Sequence, residues 1–346
     1  MGGAILMFDG VVHDCRLARN QAQGDIQGGA ANGHGRGGAI YMSGGILEDC
    51  DILDNIASGN GSANGYGGGV FASTGTIIRC MIANNNRALG SGNGSAYGGG
   101  AYLSGIAQLR ESTIRGNFTI PAGNNANDSQ GGGVYMYNAG VGVSNCVIVS
   151  NKADSAGSSA SNIRWGGGVH MVNGELHRCI IASNIVTATQ SSRGAGGGIY
   201  LMNGVVRNCL FYNNICMADA TNAPGGGIRM QGGRVENCTV VANRAEGYLT
   251  VDSTNDTTLG GGVYRTGGAV TNTIVVLNQI RNPDVSAAVQ ISGTNRFGYC
   301  CSPDLESGID GNLTTAPFFI NPGGADFRLV PQPSGTSIKN KIITRL

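Results

Sequence analysis

Charge is scarce in this chain. Only 12% of its 346 residues are Asp, Glu, Lys or Arg, and 22 basic against 21 acidic side chains leave a formal net charge of +1. No basic run occurs, so there is no clustered positive field to attract phosphate backbones, and nucleic acid is not an expected partner. No apolar run approaches the roughly 18 residues of a membrane-spanning helix. The opening MGGAILMFDG lacks the basic start and long apolar core of a secretory signal. It reads instead as the first strand of a repeat, so the chain is expected to open inside its first rung, through processing or loss of an upstream segment. Metal patterns are missing as well. His13, His34, His170 and His177 give no pair in one register, and no EF-hand or RTX spacing appears. Neither a metal nor a cofactor is expected.

What the chain has is glycine, 61 residues of it, in a fixed pattern. The stretch Gly196–Asn214, GGGIYLMNGVVRNCLFYNN, is one copy. It runs glycines, short apolar strand, Asn-Gly turn, second strand, Cys-x4-Asn. A Gly-Gly pair recurs at Gly2, Gly37, Gly67, Gly98, Gly131, Gly166, Gly196, Gly225 and Gly260. Each is followed by Cys15, Cys50, Cys80, Ser112, Cys146, Cys179, Cys209, Cys238 or Thr273. Five residues further on stand Asn20, Asn55, Asn85, Asn117, Asn151, Asn184, Asn214, Asn243 and Asn278. The mean period is about 32 residues, and the length variation falls in the loop between each Asn and the next Gly pair.

The period of two in a strand sorts the faces. Val70, Val134, Val169, Ile199, Ile228 and Val263 share one apolar position, with Met42, Leu103, Met136, Met171, Leu201 and Met230 two residues on. Between them stand Tyr41, Phe71, Tyr102, Tyr135, His170, Tyr200, Arg229 and Tyr264. His and Arg are admitted there, so this position faces outward. No copy can bury its inner face alone, but stacked copies can, at roughly 4.7–4.9 Å per strand spacing. Like then sits on like. The nine Asn form a structural ladder of side-chain amides. The chain is therefore expected to be all-β, a single-stranded right-handed parallel β-helix (β-solenoid) of about nine to ten rungs with an irregular C-terminal cap. Residues 1–285 carry the repeats, and 286–346 the terminal rung and cap, where Pro303, Pro317, Pro322, Pro331 and Pro333 collect.

Seven of the ten cysteines fall on the ladder, where Ser112 and Thr273 substitute for them. A small inward side chain is what the position requires, so free buried thiols are expected. Cys216, Cys300 and Cys301 fall off it, with one disulfide among them left open. The loops are rich in Gly, Ser, Asn and Thr and hold N-x-S/T at Asn60, Asn93, Asn127 and Asn255, which a polar composition produces by chance or glycosylation would use.

GGAI at Gly2–Ile5 and Gly37–Ile40, with Phe211–Asn214 and its I/L/VxxN equivalents, resembles the repeats of chlamydial polymorphic outer-membrane proteins. It is equally similar to bacterial parallel β-helix repeat proteins of the pectate-lyase-like superfamily. The terminal GNLTTAPFFINPGGADFRL is similar to the tail that closes the helix in large secreted, surface-anchored members. Here it continues as PSGTSIKNKIITRL, with neither the Ser-Pro-x-x-Asp-x-Gly ending, nor an autotransporter barrel, nor a sorting signal. The resemblance implies the fold. It leaves lyases, hydrolases, adhesins and structural proteins open.

For chemistry on one face, acids must share a register. The outward position before the Cys ladder reads Asp14, Asp49, Arg79, Glu111, Asn145, Arg178, Asn208, Asn237, Asn272, and acids thin out along it. Loop acids Asp128, Asp154, Asp219, Asp252 and Asp256 share no spacing. No catalytic residue is assigned. The stripe Tyr41, Phe71, Tyr102, Tyr135 is a candidate contact surface for a glycan or another subunit, or a stacked face under the loops. Trp165 is either a sugar platform or packing at its loop's base. Ile5 and Met7 are candidate assembly-edge residues. The expected function is a non-enzymatic extracellular or cell-surface structural or adhesive solenoid, an adhesin passenger or filament subunit. It would associate head to tail or pack against an upstream domain, with a glycan or host-surface ligand. A polysaccharide-binding or polysaccharide-degrading protein is the alternative.

Overall fold

A computed structural model describes residues 1–24, 33–59, 63–85, 88–89, 94–120, 128–154, 163–188, 193–218, 223–247, 260–281, 286–287, 289–293 and 296–330. Asn60, Asn93, Asn127 and Asn255, and the loop acids Asp219, Asp252 and Asp256, lie outside these residues.

The described chain is a parallel β-solenoid with two single-turn 3-10 segments, Ile309–Gly311 and Pro322–Gly324, as its helical content. One turn shows why the sequence coils. Gly166 takes φ +66° and sets the direction of Val169–Met171. Gly174 (φ +119°) turns the chain into Glu175–His177, Arg178 (φ +53°) into Ile180–Ala182, and Ser183 (φ +54°) into Ile185–Ala188. Strands of three or four residues separated by left-handed corners cannot extend, so the chain winds back over itself. Each strand then pairs in register with its equivalent in the next turn, as Val169↔Ile199, Leu176↔Val206, Ile181↔Phe211 and Val186↔Cys216.

The first ladder runs from Ile5–Met7 to Ile291–Gly293, the second from Val11–His13 to Phe297–Gly298. Two longer strands, Ile40–Glu48 and Val70–Ile78, serve both. A third sheet of nine strands runs from Arg16–Ala18 to Ile274–Val276. A fourth face is split into sheets of three and seven strands, and a fifth, on the loop side, has six short strands, Gly35–Arg36 to Arg193–Ala195. The end repeats do not furnish every face. About seven turns are complete, which corrects the expected nine to ten.

The expected inward positions form one continuous core, with Val70, Met136, Val169, Leu201, Met230 and Val263 all 0% exposed. Beside it runs the amide column. The Oδ1 of Asn184 accepts from both the backbone N–H and the Nδ2 of Asn151, each at 3.0 Å. The Nδ2 of Asn184 donates to the Asn214 Oδ1 at 3.0 Å and to the Ile148 carbonyl at 2.9 Å. The same pattern links Asn20 through to Asn278. The glycine beside each amide is required by this column. A Cβ on Gly168 would lie 2.8 Å from both the Asn184 Nδ2 and the Gly198 carbonyl oxygen.

The amide column and the Cys ladder, whose backbone N–H groups reach the next turn's side chain as Cys179 N does the Cys209 Sγ, both have closing residues that the repeat pattern does not contain. Gln290 Oε1 takes the place of the next Asn, accepting from Asn278 N at 2.7 Å and Nδ2 at 3.1 Å. Asn312 Oδ1 accepts from Cys300 N at 2.8 Å. The antiparallel hairpin Phe319–Asn321 and Asp326–Leu329 packs Phe327, with Phe319 and Leu329, on Leu210, Val241 and Ile274 of the third sheet.

Asn184→Ala removes the acceptor of the Asn151 N–H inside the core. It should cost about 1–3 kcal/mol, read as a lower urea midpoint. Asn20→Ala should cost less, because the Asn20 Oδ1 accepts no bond among the described residues. Equal midpoints for wild type and Asn184→Ala would contradict the role given to the column.

Candidate functional site

The residues singled out for chemistry fall on corners, not in a cleft. Asp14, Asp49, Arg79, Glu111, Asn145, Arg178, Asn208, Asn237 and Asn272 all have φ between +47° and +55°. Asn and Asp tolerate the left-handed region better than other side chains, which accounts for their frequency here without any catalytic demand. Two of the charged members, Arg79 and Asp49, pair across turns. Arg79 donates to Asp49 at 2.8 Å and to Glu48 at 2.9 Å, and the guanidinium holds the Asp49 carboxyl below the usual carboxylate range. Arg207 pairs with Glu175 in the same way. The loop acids Asp128 and Asp154 share one electrostatic neighbour, a residue that the pattern did not single out. Both act on the buried Arg164 guanidinium, whose pKa desolvation nonetheless pulls down to about 10. Among the described residues, no group of three or more His, Cys, Asp or Glu side chains could hold a metal ion.

The outward aromatic stripe is present but covered. Tyr41, Phe71, Tyr102, Tyr135, His170 and Tyr200 stack face to face across successive turns, with centroids 4.8–5.3 Å apart. Tyr41 is half-buried, while Phe71, Tyr102 and Tyr135 are 8%, 9% and 7% exposed. The stripe is therefore an outer packing column, not the open contact surface considered from sequence. Its cover is a second column on the fifth ladder, Tyr66, Tyr97, Gln130 and Trp165 in register. Tyr66 meets Tyr102 edge-on at 5.1 Å, and Tyr97 meets Tyr135 at 5.2 Å. All four residues immediately precede a Gly pair, a signal that was in the sequence and whose meaning depends on the loop folding back. Trp165 does pack, lying flat on Tyr200 at 4.2 Å, yet stays half-exposed.

All ten cysteines are free, Cys15 exposed and the others buried. Cys300 belongs to the ladder after all. Its thiol donates to the carbonyls of Val270 and Gly298, as Cys238 does to Val206 and Glu236, and it follows a left-handed Tyr299 (φ +55°). The missing Gly pair and Asn of that last turn hid its register. Of the proposed edge residues, Met7 is buried (4% exposed) and Ile5 half-buried, because both point into the core against Met42 and Ile40. The first turn instead exposes Leu6, Phe8 and Val11.

Two outcomes test these assignments. Glu111 (φ +48°) is exposed, so Glu111→Gly should relieve corner strain and raise stability by about 0.5–1 kcal/mol net of the added chain entropy. A lower melting temperature would contradict the purely conformational role. His170 is buried between Tyr135 and Tyr200 with neither ring nitrogen bonded among the described residues, and desolvation lowers its pKa from 6.5 to about 3. The folded state therefore binds this proton less well than the unfolded state. Its contribution is intact above pH 6.5 and drains as pH falls toward 3, at up to about 1.4 kcal/mol per pH unit. His170→Tyr, which keeps the stack, should flatten urea stability between pH 6.5 and 4 relative to wild type. Parallel pH profiles would exclude His170 as the cause.

Comparison with protein-family models, curated proteins and solved structures gave no match, so the functional argument rests on the repeats and their geometry.

Proposed function

We propose that this chain is a non-enzymatic structural and adhesive solenoid of the extracellular space or cell surface. The observation that carries this reading is how its ionisable side chains are used. They set left-handed corners, form scattered ion pairs and lie in different faces, and the residues repeated in register are those that stack: Asn, Cys, Gly and aromatics. Such columns suit a stiff rod that displays polar loops along one edge. The likeness of its GGAI and xxN motifs to chlamydial polymorphic outer-membrane proteins and to adhesin passengers fits the same role. Leu6, Phe8 and Val11 mark the end where a further length of solenoid, or a second copy stacked head to tail, would add.

The polysaccharide alternative gains support from one observation, the half-exposed Trp165 indole. Incubation with acidic and neutral polysaccharides should release neither unsaturated nor reducing ends, and sustained release from any of them would overturn the non-enzymatic reading. Light scattering at rising concentration, comparing wild type with Leu6→Lys/Phe8→Lys, should show association that the double variant lacks. A wild-type chain that stays monomeric throughout would remove the head-to-tail component.

A further inference from the structure

The aromatic cover stops abruptly after Trp165. In register with it in the next turn stands Ala195, and Pro224 follows before the next Gly pair. The stripe beneath continues as Tyr200, Arg229 and Tyr264. The loss of two large side chains opens a recess of about 260 Å³ walled by Trp165, floored by Ala195 and Tyr200, and rimmed by Arg193, Arg229 and Tyr264. This is smaller than the ~300–1,000 Å³ pockets that enclose a drug-sized molecule, a size suited to one ring held at the surface.

The chemistry of the rim is specific. Arg229 lies on the Tyr264 ring, 4.4 Å from its centroid, with Nη1 pinned to the Met230 carbonyl (2.9 Å) and the Thr266 hydroxyl (3.1 Å). Its guanidinium is thereby presented in a fixed orientation. No carboxylate among the described residues pairs with Arg229 or with the exposed Arg193. Burial accordingly pulls the Arg229 pKa down, with Tyr200 and Tyr264 as the groups opposing it. Tyr200 is 2% exposed and forms part of the floor. A flat aromatic wall and two guanidiniums with no carboxylate partner among the described residues line one space. Guanidinium forks bind planar anions in two-point contacts, and aromatic faces bind the C–H face of a pyranose ring.

We infer that this recess binds a single anionic sugar residue of a glycan, its ring against Trp165 and its carboxylate or sulfate on Arg229 and Arg193. The inference rests on the adhesive part of the function proposed above. Binding without turnover is what it requires, so failure here leaves the structural solenoid standing, whereas turnover on polysaccharide would end that reading whatever the recess binds.

Trp165 is the one tryptophan of the chain, so its fluorescence reports this recess directly. The full chain is titrated with a glucuronate-containing tetrasaccharide, a sulfated tetrasaccharide and a neutral tetrasaccharide. A saturable change with the first identifies a carboxylate ligand, and one with the second a sulfate ligand; either supports the site. The neutral sugar should bind at least about tenfold more weakly. Arg229→Gln should weaken the anionic sugar by about tenfold, the scale of one charge-assisted hydrogen bond. Arg193→Gln, at an exposed side chain that folding does not need, should weaken it as well. Arg115→Gln, at an exposed position on the third sheet, should leave it unchanged. Thermal melts verify that the variants fold. No saturable change with either anionic sugar, equal affinity for the neutral one, or undiminished affinity in both Arg229→Gln and Arg193→Gln would overturn the assignment.

Discussion

The structure depends on an amide held where water cannot reach. Each turn must bring a corner of backbone into the interior, and a buried N–H without an acceptor would cost as much as a turn's packing can spare. The Asn column meets that demand from the neighbouring turn. One Oδ1 takes two donors, and the Nδ2 that completes the link also reaches a carbonyl one turn back. Neither turn is satisfied without the other. The apolar core adds stability along the whole length, but the amides fix the register of each turn on the next, because a strand slipped by a residue would leave its amide unmatched.

This constraint propagates outward. The amide needs a neighbour without a Cβ, which accounts for Gly168 and its equivalents. Stacking equivalents at one strand spacing brings aromatic rings to within 4.8–5.3 Å of each other on the outer face, so a row of Tyr there becomes a packed column as soon as a second row covers it. Burial of that column isolates His170 between two tyrosines, and the end of the cover exposes Arg229 and Tyr264. Packing and potential binding surface are thus set by one variable, the side chain that precedes each Gly pair.

The fold was legible in the sequence because its requirements repeat. Nine Asn in one register, and Cys, Ser and Thr exchanging at another, leave few alternatives to stacked turns. The inward residues followed from strand alternation alone. What could not be read depended on contacts between segments of unequal spacing. Gln290 and Asn312 act as substitute ladder residues, but they lie 12 residues from Asn278 and from Cys300, where no periodicity points to them. Burial of Tyr102 and Tyr135 depended on Tyr66 and Tyr97 arriving from loops of varying length. The corner residues were placed outward correctly, yet their backbone angle, the reason for their composition, has no alternation signature. The recess was invisible for a related reason: it consists of what Ala195 fails to fill.

Because the strand pairs of the solenoid join residues to their own counterparts, a turn is close to an interchangeable unit. Copying or excising a whole repeat would preserve the main contacts, since Asn would still meet Asn and each strand its equivalent. Removing a single residue inside a repeat would instead send one strand's core side chains to the solvent. The gene for such a chain can therefore lengthen or shorten by unequal duplication with little structural penalty, while smaller insertions collect between each Asn and the following glycines and, in two repeats, between the first and second strands. Reach from one end to the other is the property that such changes alter most easily.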